Sequence, residues 1–139
     1  MKVSLNYSEN LHFIGTARHF NNIQIDEPEA FNGTNLAPSS LEYLLIGIGG
    51  CIGSSFVYCL QKNEILLEEL NIVVDCKLKH TGKKMTLEMV NIDVEINFLP
   101  KNTQKKEKID FCKKIFQDHC PALKLVKSPI PLNIKFFSA

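Results

Sequence analysis

Five cysteines stand at positions 51, 59, 76, 112 and 120, and two of them sit where a thiol could do chemistry. Cys51 lies in GIGGCIGSS, residues 47–55, inside a charge-free run of 18 residues from Tyr43 to Leu60. Cys120 precedes Pro121, a residue suited to the first turn of a helix, which makes Cys120 an N-cap. A thiolate there accepts backbone N–H bonds at the positive end of the helix dipole, which favours its ionisation, and His119 beside it adds charge. Taken alone, Cys120 is also readable as a small residue ahead of a helix. Together, a thiol on a small-residue face and a second, activated thiol 69 residues later have the parts of a peroxidatic and resolving pair.

Other chemistries find little support. The 16 Lys and Arg against 15 Asp and Glu give no field of one sign, so neither nucleic acid nor an anionic membrane is favoured. No His or Cys spacing has the short paired motifs of a zinc site, and no cofactor motif is present. Five cysteines without a CxxC, in a chain long enough to bury a sizeable core, favour free thiols or one functional pair over a disulfide framework. Cys59 and Cys76 read as small core residues. Every basic residue but Arg18 is a lysine, so Arg18 alone offers a planar, permanently charged fork. The N-terminus MKVSLNYSEN lacks the apolar run of a secretory signal, which makes a cytoplasmic location the expectation.

The elements that must position these residues follow from periodicity. Short strands are expected at Val3–Tyr7, Leu11–Thr16 and Phe20–Asp26, then a loop rich in Pro, Gly, Asn and Ser. Ser39 or Ser40 can cap a long helix running from about Ser40 to Lys62. Ile72, Val74, Cys76 and Leu78 alternate as in a half-buried strand. In the next strand Met85, Leu87 and Met89 share one phase and Ile92, Val94, Ile96 and Phe98 the other, so a bulge is expected near Val90 and Asn91. Ile109, Cys112, Phe116 and His119 mark an amphipathic helix from about Thr103 to Asp118. HCPALKLV adds a short helix and PLNIKFF a last strand. The whole chain, residues 1–139, reads as one α+β domain of antiparallel sheets and helices.

At 18 residues the charge-free run reaches the lower limit of a membrane span. Its four glycines, the lack of basic flanks and the alternating strands on either side favour a buried helix instead. At 100° per residue, Leu45, Ile48, Ile52, Phe56 and Cys59 form one core stripe, and Gly47, Gly50, Cys51 and Ser54 a second with almost no bulk. Four interior glycines cost about 3 to 4 kcal/mol of helix propensity, so something must approach that face closely. A packed strand, a second helix, a partner's copy of the same helix, or a substrate beside the Cys51 sulfur would each satisfy it.

GTNLAPSSLEYLLIGIGGC, a Gly- and Pro-containing loop and a Leu-Glu pair leading into a small-residue helix that ends in Cys, resembles the first motif of the OsmC/Ohr family. HCPALKLV is similar to its second, and Phe13, Gly15 and Asp26 fall where its N-terminal strands carry Phe, Gly and Asp. The resemblance implies an intertwined homodimer whose sheets wrap central helices, with sites at the subunit interface. It also implies a thiol peroxidase in which Cys51 attacks a hydroperoxide and becomes a sulfenic acid, Cys120 condenses with it to a disulfide, and a dithiol reductant reopens the bond. The organic hydroperoxide branch carries a Glu ten residues before the first Cys, where this chain has Leu41; Glu42, nine before, matches a less characterised branch. That branch also uses an Arg to stabilise the thiolate, a role open to Arg18. The plainer readings are an N-terminal acid favoured by the helix dipole for Glu42 and an exposed turn residue for Arg18. Against the enzyme stands a dimeric binding protein that holds an apolar or acyl ligand, with the cysteines as packing; Leu41 favours it.

Overall fold

The computed structural model describes residues 1–82, 84–98, 105–128 and 130–136, Phe116 by its backbone alone. Its elements are β1 (Val3–Glu9), β2 (His12–Ala17), β3 (Phe20–Ile25), α1 (Ser40–Lys62), β4 (Leu67–Thr81), β5 (Lys84–Phe98), α2 (Lys106–His119) and α3 (Pro121–Lys127). The chain is α+β and divides into two compact units, Met1–Ile46 and Gly47–Ala139, with the division inside α1.

In the first unit β1, β2 and β3 form an antiparallel meander in that order. Asn10 (φ 48°) and Arg18 (φ 56°) make its two tight turns in the left-handed region. Beyond β3 the chain folds around Asp26, whose side chain is fully enclosed. Its carboxylate accepts the Glu27 N–H at 2.8 Å, the Thr34 hydroxyl at 2.5 Å, the Thr34 N–H at 3.1 Å and the Leu36 N–H at 3.0 Å. The Thr34 hydroxyl and then the N–H groups of Leu36, Thr34 and Glu27 outweigh burial, holding this carboxyl at about 2. Gly33 belongs to the same loop because a Cβ there would overlap the Glu27 carbonyl.

The helix α1 starts and stops where local chemistry requires. Ser39 and Glu42 form a capping box: the Ser39 N–H and hydroxyl both donate to Glu42 Oε2 at 2.7 Å, and the Glu42 N–H donates back to Ser39 Oγ at 3.3 Å. At the far end Glu64 turns left-handed (φ 56°), with Ile65 N–H bonded to the Leu60 carbonyl and Glu64 N–H to that of Gln61. That is a Schellman stop with Ile65 and Leu60 sharing the core beneath it.

In the second unit β4 and β5 form one long antiparallel hairpin. Its half-buried face carries Ile72, Val74, Cys76 and Leu78 against Val90, Ile92, Val94, Ile96 and Phe98. The expected bulge exists but sits at Glu88 rather than at Val90 and Asn91, since Lys77 pairs with Met89 and Leu78 with Leu87. Met85 and Leu87 therefore join the apolar face, while Met89 turns to the other side. Phe56, Cys59, Leu60 and Ile65 form the core with Ile109 and Cys112, and Leu67, Leu70, Ile96 and Phe98 pack on it. Each large apolar side chain buried here contributes about 1.5 to 3 kcal/mol.

Two further expectations are corrected. Residues 131–136 of the anticipated last strand pair with no strand among the described residues, and Leu132, Ile134 and Phe136 are exposed; Phe137 lies outside the described residues. Alternation selects a strand-like conformation, but a strand also needs an edge to pair with. The start expected at Thr103 likewise lies outside the described residues, and His119, assigned to the apolar face of α2, is exposed.

Candidate active site: two thiols brought together by helices

Cys51 and Cys120 meet. The Cys51 and Cys120 sulfurs lie 3.2 Å apart, within hydrogen-bond distance, across 69 residues of sequence. Cys51 projects from the middle of α1 and is half-buried; Cys120 occupies the junction between α2 and α3 and is 1% exposed. Pro121 opens α3 as expected, making Cys120 its N-cap residue, yet the Cys120 side chain caps no N–H. The N–H of Ala122, the first that α3 has free after Pro121, bonds to Cys51 instead, as does the Ser55 hydroxyl one turn along α1. One of the backbone N–H groups expected to activate Cys120 thus serves the other sulfur.

Burial nevertheless dominates at Cys51 and pushes its thiol above the ordinary value. The Ala122 N–H and the Ser55 hydroxyl pull it down, and the neighbouring Cys120 raises it further. The surroundings described for Cys51 within its own unit therefore favour a thiol, and a nucleophilic thiolate needs a cation in addition.

Arg18 and Glu42 belong to the first unit. Arg18 stands exposed at the tip of the β2–β3 hairpin, its guanidinium 5.4 Å from the centroid of Phe20. Glu42 is the acid of the capping box, lowered below the usual carboxylate range by the Ser39 N–H and then the Ser39 hydroxyl. Glu42 thus opens α1 within the first unit, while Cys51 belongs to the second.

The small-residue face is also redistributed. Gly47 and Gly50 have nothing within 4 Å of where a Cβ would stand. The close approaches fall at Gly49, where the Cβ would lie 3.1 Å from a methyl of Val74, and at Gly53, 3.0 Å from one of Ile72. Strand β4 therefore packs on Gly49 and Gly53, not on the stripe of Gly47, Gly50, Cys51 and Ser54.

One pair was not anticipated. Cys59 and Cys112, read as core residues, are joined by a disulfide across 53 residues, with Cα atoms 5.6 Å apart. Apolar periodicity cannot tell a cysteine that packs from one that bonds. The signal available was spacing: Cys59 follows Cys51 by eight residues, and Cys120 follows Cys112 by eight. Among the described residues no group of His, Cys, Asp or Glu is placed to hold a metal ion. A cleft of about 190 Å³ opens beside Ile52, Phe56, Ile72, Val94 and Ile96, with Lys113 and Gln117 at its polar side.

The comparisons agree with this fold. The family model described as OsmC-like protein matches residues 33–135. An OsmC-like protein from Mycoplasma pneumoniae superposes with a TM-score of 0.70 at 21% identity, over 92% of this chain and 87% of that one. An OsmC-like protein of unknown function from Vibrio cholerae gives 0.72 at 12% identity, over 91% and 93%. An organic hydroperoxide resistance protein OsmC from Legionella pneumophila gives 0.62 at 17%, over 91% and 88%. No curated protein matches the sequence. With the family model spanning most of its length and the same fold recurring in these structures, the chain belongs to the OsmC-like family.

Proposed function

We propose that the protein is a thiol peroxidase that reduces organic hydroperoxides through Cys51 and Cys120. The observation that carries this reading is the 3.2 Å separation of the two sulfurs, which must shorten to about 2.05 Å for a disulfide. The Cys51 thiolate attacks the outer oxygen of ROOH and the O–O bond breaks. The leaving alkoxide takes a proton to become the alcohol, and Cys51 becomes a sulfenic acid. The Cys120 sulfur then attacks the Cys51 sulfur and water leaves. A dithiol reductant reopens the resulting bond through a mixed disulfide and is itself oxidised to a disulfide. Arg18, the single guanidinium, is the cation assigned to the thiolate. Glu42 is left with the helix start. The open face of Gly47, Gly50 and Ser54 supports a second copy of the chain as the neighbour that these glycines admit, and the working unit is proposed to be a cytoplasmic homodimer.

Peptide mapping of reduced protein after one equivalent of cumene hydroperoxide or hydrogen peroxide tests this. The expected product is a Cys51–Cys120 bond, formed faster with the organic peroxide and lost in Cys51→Ser and Cys120→Ser. A Cys51 that stays a thiol, or reacts no faster than a free cysteine, overturns it. The apolar cleft favours a second reading, a non-catalytic protein that binds an apolar or acyl ligand. On that reading Cys51→Ser binds the ligand as well as the parent does.

A further inference from the structure

The four bonded or touching cysteines form two rungs of one ladder. Cys51 and Cys59 lie eight residues apart on α1, about 12 Å along its axis. Cys112 lies on α2, and Cys120 directly follows that helix, again eight residues on. Cys51 meets Cys120 and Cys59 meets Cys112, so the two helices run antiparallel with one rung at each end.

The far rung is placed to govern the near one. Among the described side chains of α2 only Ile109 and Cys112 are buried; Lys113, Lys114, Gln117, Asp118 and His119 are exposed. Ile109 and the covalent bond at Cys112 are therefore the fully buried holds on α2 among its described side chains, with Ile115 half-buried, and two turns of helix carry that attachment to Cys120, itself buried. Asn63, at the end of α1, directs its side-chain N–H groups at both sulfurs, 3.8 Å from Cys59 and 3.7 Å from Cys112. A donor shared between two sulfurs stabilises the thiolate released when the bond opens, which suits an exchangeable bond.

We infer that Cys59–Cys112 is a second redox couple of this protein, a clamp whose closure favours closure of Cys51–Cys120. Closed, it holds Cys120 beside Cys51. Opened by a dithiol, which takes the disulfide to two thiols and leaves as a disulfide itself, it frees α2 and lowers the effective concentration of one sulfur at the other. Coupling between binding equilibria is reciprocal, so the Cys51–Cys120 bond must favour Cys59–Cys112 by the same factor. The inference rests on Cys51 and Cys120 being a disulfide-forming pair, but not on a peroxide being their oxidant.

The test uses the full chain equilibrated in glutathione buffers, with each bond followed by alkylation and peptide mapping. Each closure consumes one glutathione disulfide and releases two glutathione thiols, so no peroxide is involved. In Cys59→Ala/Cys112→Ala the equilibrium constant for Cys51–Cys120 is expected to fall at least tenfold. In Cys51→Ser, where the core bond is untouched, the constant for Cys59–Cys112 is expected to fall by the same factor. That second arm stands even if the double variant folds poorly. Constants that are unchanged, or that change in one arm only, overturn the clamp while leaving the functional reading in place. Failure of Cys51–Cys120 to form in the parent protein removes both, and free alkylation of Cys59 and Cys112 in oxidised, denatured parent protein removes the clamp alone.

Discussion

Asp26 and Cys51 are both withdrawn from solvent, and their acid strengths move in opposite directions. Asp26 is fully enclosed yet ionises more readily than in water, because a hydroxyl and three N–H groups converge on its two oxygens. Cys51 is only half-buried and ionises less readily, because two donors do not offset burial and a second sulfur lies alongside. Burial is common to both; the count and type of donors decide the sign. The Asp26 loop is built to keep a charge permanently, as a structural pin. The Cys51 site is built to keep a thiol until something supplies the missing charge.

The strongest way to break this contrast is to remove the backbone that holds the Asp26 donors. In Gly33→Ala the new Cβ overlaps the Glu27 carbonyl, so the loop must open and the Thr34 and Leu36 donors move away. The expected loss is about 3 kcal/mol or more in chemical denaturation, in the range of overpacking with backbone displacement. A midpoint equal to that of the parent protein would show that the loop tolerates a side chain and that the cradle is not what pins Asp26.

Next in size is the acid limb of stability. The Asp26 carboxyl is held at about 2 in the folded chain, below its value of 3.8 when unperturbed. A folded pKa below the unfolded one means stability that is complete above the unfolded value and is lost as pH falls through the folded one. Denaturation between pH 5 and pH 2 should therefore show a decline over that interval that Asp26→Asn reduces. An identical pH profile in the variant would assign the acid limb to other groups.

At Cys51 the sign is reversed. A thiol whose folded pKa is raised stays neutral at pH 7, and its alkylation rate climbs tenfold per pH unit until the thiolate forms. With Arg18→Met, burial alone is expected to govern, with a midpoint above the ordinary value of 9.0. If Arg18 supplies the cation, the parent protein's midpoint lies lower than the variant's. Coincident profiles measured with iodoacetamide would remove Arg18 from the site.

Much of this was legible in the residues. Ser39 and Glu42 announce the start of α1, and the apolar stripe from Leu45 to Cys59 carries it to Lys62, because caps and periodicity are local properties. Cys51 and Cys120 could be paired because each sits in a distinctive local setting. The redirected Ala122 N–H was not legible, since a donor's target depends on which chain segment lies opposite. Nor was the Cys59–Cys112 bond, because a cysteine on an apolar stripe looks the same whether its neighbour is a methyl or a sulfur. The bulge was placed two residues late for a related reason: the phase change in β5 shows that a residue is extra, while the partner strand decides which one.

Glu42 sharpens the comparison with the smallest effect, because it stands between the two extremes: an exposed carboxylate held by one serine and lowered only in part. Ser39→Ala removes the Oγ bonds of the capping box but keeps the Ser39 N–H bond to Glu42, so about 1 kcal/mol of stability should go. Glu42→Gln should leave the helix start largely in place while removing the part of the acid limb that Glu42 contributes, which fades as pH falls below its unfolded value. In neither variant should the yield of the Cys51–Cys120 bond in a glutathione buffer change, since the described partner of Glu42 is the Ser39 cap and not a thiol. A fall in the rate of reaction with hydroperoxide for Glu42→Gln, at unchanged stability and unchanged bond yield, would instead make Glu42 part of the thiol chemistry, and the helix cap would then be its second role.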